Sequence, residues 1–347
     1  MPTPGLITLI GSGETAPSGR ALYEPAFDRL PKPVRVAVME TPAGFELNSP
    51  HVASRVSDFI RHRLQNYKPD VTVVPARRRD TEFGTNNPNI LRPLLDADCI
   101  FMGPGSPSYA VRHLTGTFAW EMIQARHRLG ACLTFASSAA IAIGETAVPI
   151  YEIYKVGDDP HWIPGLDLLG HFGLRIACVT HWNNTEGGAN LDTSRCYIGR
   201  ARLETLLPAL SDGTVVVGVD EHTALTLDFS KLECRVLGKG TVTLVDEGTE
   251  RVFKSDTDFP MSEIGDVRIP DASEGISPEV WDDVMAAQQA REKPPTELPD
   301  EAAALIAERE EARQTKQWER ADALREQLAE MGYSVTDTPE GTRWEVA

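Results

Sequence analysis

Ala131-Cys132-Leu133-Thr134-Phe135-Ala136-Ser137-Ser138-Ala139-Ala140-Ile141-Ala142-Ile143-Gly144 is an apolar, β-rich run that passes without a turn signal into a helix of small residues. A strand that feeds straight into a helix is the βα corner of a parallel sheet. A serine at that corner is lifted out of the sheet, with helix N-terminal amides beside it. Ser137 is therefore either a helix N-cap or an acyl-transfer nucleophile.

Upstream of this corner, strand and helix alternate. Gly5–Ile10, Val34–Glu40, Val71–Val74 and Cys99–Met102 read as short buried strands, with Ala131–Ala136 as the fifth. Helical patterns lie between them at His51–Asn66, Ile90–Leu95 and Thr117–Leu129. This order predicts an α/β fold with a mostly parallel, doubly wound sheet. Gly11-Ser12-Gly13-Glu14 follows the first strand and Gly103-Pro104-Gly105-Ser106 the fourth, both as turns at the same sheet edge. The first of these lacks a full GxGxxG and is read as a turn beside a site, with Glu14 a secondary site candidate. Downstream, a strand at Leu174–Thr180, a helix near Gly199–Leu207 and a strand at Val215–Val219 continue the pattern. Ala224–Phe253 reads as antiparallel strands closing an edge of that sheet.

The chain has 347 residues, 41% of them hydrophobic, enough for a sizeable core and one to three domains. Its formal charge of −17 argues against general affinity for nucleic acid or anionic membrane. No basic stretch precedes a long apolar run near the start, and no run approaches the roughly 20 apolar residues of a membrane span. Five scattered cysteines, without CxxC, read as reduced core residues, and a cytoplasmic location is expected.

A serine hydroxyl needs a base, and the base needs an acceptor that fixes its tautomer. His181 ends the apolar run Ile176–Thr180 and enters a polar loop; Asp220 and Glu221 follow Val215–Val219. All three positions are expected at the ends of strands that neighbour one another in one sheet. Ser137 or Ser138 would attack, His181 would take the proton, and Asp220 or Glu221 would orient the imidazole. The amides of Gly105 and of the residue after the nucleophile would face the developing oxyanion. His62, His113 and His127 sit among arginines and read as solvated faces; His161, His171 and His222 read as loop residues able to line the same cleft. Arg77-Arg78-Arg79 reads as an exposed basic turn, with a substrate carboxylate as the other use. No zinc spacing such as HExxH occurs, so neither a metal nor another cofactor is expected.

These landmarks resemble the cyanophycinase and aspartyl dipeptidase family of serine peptidases, whose fold is similar to that of class I glutamine amidotransferases. The resemblance covers about Gly5 to Asp246 and rests on Gly11–Glu14, Ala97-Asp98 with Ile100–Gly103, Ser137 with Ala139, Ala140 and Gly144, Pro164-Gly165-Leu166 with Leu168-Leu169, and Gly218–Ala224. It implies a Ser-His-Glu triad of Ser137, His181 and Glu221, with Gly105 and Ser138 at the oxyanion and a small peptide or amide as substrate. The chain departs from the family elbow in having Phe135 and Ala139 where glycines stand. It departs again in Val179-Thr180 before His181 and in an enlarged Asn183–Cys196 stretch. Catalytic silence, with a ligand bound in the same cleft, is the alternative.

Past Thr257 the texture turns acidic and proline-rich. The domain expectation is 1–256 for the α/β domain, 257–296 for a linker with a helix near Pro278–Arg291, and 297–347 for a small helical hairpin module. One apolar stripe of the module is Ala302, Leu305, Ile306 and Ala312; the other is Trp318, Ala321, Leu324, Leu328 and Met331. A β-hairpin of Tyr333–Thr336 and Thr342–Val346 around Pro339-Glu340-Gly341 should follow. Trp318–Arg325 and Asp337–Trp344 are similar to the C-terminal module of cysteinyl-tRNA synthetases, which implies contact with tRNA. No HIGH-like or KMSKS-like segment accompanies it, so aminoacylation is not expected. Protein contact, including a homodimer, is the other use of such a hairpin.

Overall fold

The computed structural model describes residues 3–292, 298–338 and 341–346. Five strands of the first half are β1 (Ile7–Ile10), β2 (Arg35–Met39), β3 (Asp70–Val74), β4 (Cys99–Met102) and β5 (Cys132–Ala136). Two-residue strands β6 (Thr146–Ala147) and β7 (Ile163–Pro164) pair with each other. Then come β8 (Ile176–Val179), β9 (Val215–Val219), β10 (Thr223–Asp228), β11 (Glu233–Gly238), β12 (Thr241–Asp246), β13 (Thr249–Lys254) and β14 (Asp258–Pro260). The C-terminal hairpin is β15 (Tyr333–Thr338) and β16 (Gly341–Val346).

The strands form two principal sheets. An eight-stranded sheet runs β14-β11-β10-β1-β5-β4-β2-β3, parallel from β1 to β3 and antiparallel beyond β1. A four-stranded sheet runs β13-β12-β9-β8, with only β8 and β9 parallel. The expectation of one sheet holding all three site strands is thereby corrected. Both edges of β5 are taken, by β1 and β4, so no hydrogen-bonding edge remains there for β8. The expected antiparallel edge is present, since β10, β11 and β14 extend the large sheet beyond β1, but β12 and β13 belong to the second sheet.

Side-chain alternation on β5 explains the layering. Leu133 and Phe135 enter a core shared with Ile176, Cys178, Val215, Val217 and Val219 of the small sheet. Cys132 and Ala136 face the opposite layer, where Leu22, Phe27, Phe59 and Ile60 of helices Arg20–Phe27 and Ser49–Arg63 cover the large sheet. Each fully buried Leu, Ile or Phe contributes on the order of 2 kcal/mol.

Helix Phe118–Arg128 lies in the middle layer with nearly every residue buried. His127 is 0% exposed and its Nε2 is 2.9 Å from the Gly5 carbonyl oxygen; His113 is 8% exposed. Both correct the reading of these histidines as solvated. Arg126 donates to the Ala97 carbonyl and Arg128 lies 4.4 Å from the Phe172 ring centroid, so neighbouring arginines were no sign of solvent. In the Arg77–Arg79 turn, Arg77 is tied to buried Glu40 at 2.6 Å.

The chain divides into compact units Met1–Met285 and Ala286–Ala347. Most of the stretch read as a linker is folded: Met261, Ile264, Ile276, Val280 and Val284 enter the main core. Lys293-Pro294-Pro295 and the Pro339-Glu340 turn lie outside the described residues. In the second unit, helices Asp300–Gln314 and Trp318–Glu330 bury Ala302, Ile306, Ala312, Ala321, Leu324 and Leu328, and Val335 of β15 joins them. Two residues of the expected stripe stay exposed, Trp318 at 57% and Met331 at 37%, because they stand at the end of the helix or beyond it. Arg309, on the first helix, is buried and donates to both carboxylate oxygens of Asp337 at 2.8 and 3.0 Å; Arg313 meets the same carboxylate.

Candidate active site

Ser137 occupies the corner between β5 and helix Ser138–Ala142 with φ 53° and ψ −117°. That conformation is costly for a residue with a Cβ, and its amide is held by the Ile10 carbonyl at 2.9 Å. Its side chain makes no cap hydrogen bond to the helix, so the N-cap role does not apply. Its Oγ lies 3.1 Å from His181 Nε2. Ser138 is 3% exposed and its hydroxyl donates to the Gly103 carbonyl at 3.3 Å, an arrangement that ties it away from His181.

His181 follows β8 and also has a left-handed backbone, φ 46°. Its Nδ1 is 2.8 Å from Glu221 Oε1, which leaves Nε2 as the face toward the serine. Glu221 lies in the turn Asp220–His222, where the chain leaves β9 of the small sheet and enters β10 of the large one. That crossing brings the carboxylate to the Ser137 corner. Gly11 packs against the same turn so closely that a Cβ would stand 2.0 Å from the Asp220 carbonyl oxygen, which explains the glycine after β1.

Of the two acids, Glu221 is the one that meets His181. Asp220 points elsewhere: its Oδ2 accepts from the amide and hydroxyl of Thr241 at 2.8 and 2.9 Å, fastening β9 to β12. Burial pushes the Glu221 carboxyl up, but hydrogen bonds from His181 and Asn184 outweigh it and hold the group below its ordinary value. Glu14 does not reach the cavity; its carbonyl accepts from the Tyr23 hydroxyl at 3.0 Å.

A cavity of about 400 Å³ opens over Ser137 and His181, with Gly105 and Ser138 in its wall and Tyr151, Tyr154 and Tyr197 around it. Gly105 has φ +150° and a Cβ there would meet the Pro42 carbonyl oxygen at 1.9 Å, so glycine is required. Among the described residues, neither the Gly105 nor the Ser138 amide donates to a protein acceptor. Cys196 also lines the cavity, but burial pushes its thiol up to about 12, so it stays protonated at neutral pH. Tyr197 and Cys196 come from three successive left-handed residues, Arg195, Cys196 and Tyr197, a local strain no sequence pattern announced. His161, His171 and His222 are outside the lining, which corrects their reading as cleft residues. Among the described residues no cluster of three or more His, Cys, Asp or Glu is placed to hold a metal ion, and no helix is long and apolar enough to cross a membrane.

Sequence reasoning missed Asn184. Its Nδ2 donates to Glu221 Oε1 at 2.9 Å from a side chain that is 1% exposed. The only trace in the sequence was the polar loop after His181, which could not say which amide would turn inward.

Among solved structures, a peptidase from an acI-B1 actinobacterium shares the fold, with a TM-score of 0.58 and 20% identity over 74% of this chain and 97% of that one. Residues 296–344 match the family described as the cysteinyl-tRNA ligase anticodon binding domain. The cysteine–tRNA ligase of Oleidesulfovibrio alaskensis is 56% identical over 43 residues, 12% of this chain and 9% of that enzyme. That of Symbiobacterium thermophilum is 48% identical over 54 residues, 16% of this chain and 12% of the enzyme. The chain thus spans about a tenth of the length of the curated relatives it matches. It is a composite: an α/β unit with a peptidase-like fold, followed by a segment similar to the C-terminal domain of cysteinyl-tRNA ligases.

Proposed function

We propose that the chain is a serine-type hydrolase, a peptidase or amidase, acting on a small peptide or amide. The observation that carries this reading is the unbroken relay Ser137 Oγ, His181 Nε2, His181 Nδ1, Glu221 Oε1, with gaps of 3.1 and 2.8 Å. His181 removes the hydroxyl proton as Ser137 attacks the carbonyl carbon, and Glu221 stabilises the imidazolium that results. The Gly105 and Ser138 amides take the oxyanion, and His181 then returns the proton to the leaving nitrogen. Water enters by the same base to release the acyl group. A cavity of about 400 Å³ suits a short substrate rather than a folded protein. Five free, buried thiols suit a reducing, cytoplasmic setting.

A fluorophosphonate probe tests the reading. Labelling should occur in the wild type, vanish in Ser137→Ala and persist in Ser138→Ala. His181→Ala should slow it by orders of magnitude without loss of fold. An unlabelled wild type favours a silent, ligand-binding member instead.

The match of residues 296–344 supports a second reading, for the tail alone: contact with tRNA. Against it, Arg309 and Arg313 are paired with Asp337 and Arg320 with Glu308, which draws these three cations away from phosphate and favours a protein partner. A mobility-shift titration of the full chain with tRNA separates the two, since binding through phosphates must fall steeply with salt.

A further inference from the structure

We infer that Asn184 is a positioning residue of this site, holding Glu221 so that its carboxylate presents one fixed oxygen to His181; this rests on the hydrolase reading above. Glu221 stands in a turn, with three side-chain torsions to fix, and its side chain is 29% exposed, so water competes for its oxygens. Two asparagines remove that freedom. The Asn183 side-chain oxygen accepts the Glu221 backbone amide at 2.8 Å and anchors the residue from below. Asn184 Nδ2 donates to Oε1, the oxygen His181 also uses.

The orientation of the Asn184 amide follows from its other contact. Its Oδ1 accepts the Glu186 backbone amide at 3.1 Å, a group that can only donate. The nitrogen must then face the carboxylate, and a flipped amide would set oxygen against oxygen. The Asn184 backbone amide donates to the His181 carbonyl at 3.1 Å, so a single residue grips both the base and its orienter. Asn184 is outside the cavity lining and touches neither Ser137 nor the space for substrate. It acts through Glu221: with Oε1 held, His181 keeps its proton on Nδ1 and its lone pair on Nε2 toward the hydroxyl.

The test compares Asn184→Ala and Asn184→Asp with wild type by the rate constant of fluorophosphonate labelling, thermal melting, and the low-field proton resonance of His181 Nδ1–H. The aspartate variant has the same shape and still accepts from Glu186, but replaces the donor with a second carboxylate against Glu221. Labelling by folded Asn184→Ala should be ~10- to 100-fold slower, as for loss of one hydrogen bond to a charged group. Asn184→Asp should lose at least as much, with the low-field resonance lost or shifted in both. Should the alanine variant not fold, the aspartate variant is read alone. A lowered melting temperature with unchanged labelling of the folded fraction overturns the inference and leaves the hydrolase reading standing. A wild type that does not label at Ser137 overturns both.

Discussion

The α/β unit and the C-terminal unit are stabilised in different ways. The first rests on large apolar clusters spread over both faces of an eight-stranded sheet. The second has two small clusters and a buried guanidinium, Arg309, clamped by Asp337. A large core accepts volume-conserving apolar exchanges, so its fold matches a solved peptidase at only 20% identity. A small unit cannot bury enough surface to be so permissive, and a bidentate arginine pair has no substitute of equal geometry. A segment of 43 residues there is 56% identical to a cysteine–tRNA ligase. The large unit thus rests on apolar volume and the small one on a geometry-specific polar clamp.

Four measurements sharpen or break this contrast. The largest effect belongs to Ser137, the nucleophile of the proposed reaction. Ser137→Ala should lower hydrolysis of a scissile ester or amide ~10³-fold or more, while Ser137→Gly should also raise stability by about 1 kcal/mol by relieving φ 53°. A destabilised glycine variant would mean the corner is not strained.

Next comes His127 in the apolar interior, where burial lowers its pKa to about 3 from an ordinary 6.5. The folded state thus binds its proton less readily than the unfolded chain. No penalty exists above the ordinary value, and stability should fall as pH drops from about 6.5 toward 3, by up to about 5 kcal/mol from this group. Urea titrations of wild type and His127→Leu across that range should show the wild type losing more; parallel curves would refute the assignment.

In the second unit, Asp337→Ala leaves buried Arg309 without its carboxylate and with only the Thr342 hydroxyl at 3.5 Å. A loss of roughly 2 kcal/mol is expected, discounted because Asp337 is 35% exposed, and confined to the helical hairpin's melting transition. A shift in the α/β transition instead would show that the two units do not melt independently. The smallest effect should come from Arg20→Ala, which removes an exposed pair with Glu24 and should change stability by less than about 0.5 kcal/mol. A larger change would mean that surface pairs matter more in the α/β unit than its core-based account allows.

Much of the site was legible because the residue types were punctuated by strands. Ser137 after β5, His181 after β8 and Glu221 after β9 all stand where apolar runs end, and the structure brings these three together. The residue pattern by itself left Ser137 or Ser138, and Glu221 or Asp220, open, and the resemblance pointed to Ser137 and Glu221. Adjacent residues on a turn point in different directions, and only the packed turn decides which faces the imidazole. His127 misled for a related reason: helical periodicity reports one buried face, whereas nearly every residue of helix Phe118–Arg128 is covered.

The sequence by itself determined the alternation of strands and helices, the corner serine, the acidic turn after β9 and the signature of the tail, because each is encoded in local apolar periodicity and breaker residues. Only the tertiary structure decided that the site strands lie in two sheets, that Asn184 turns inward onto Glu221, and that Asp337 closes over Arg309. These depend on which hydrogen-bonding edges are already occupied and on which polar groups lose water together, and neither quantity is local in the chain.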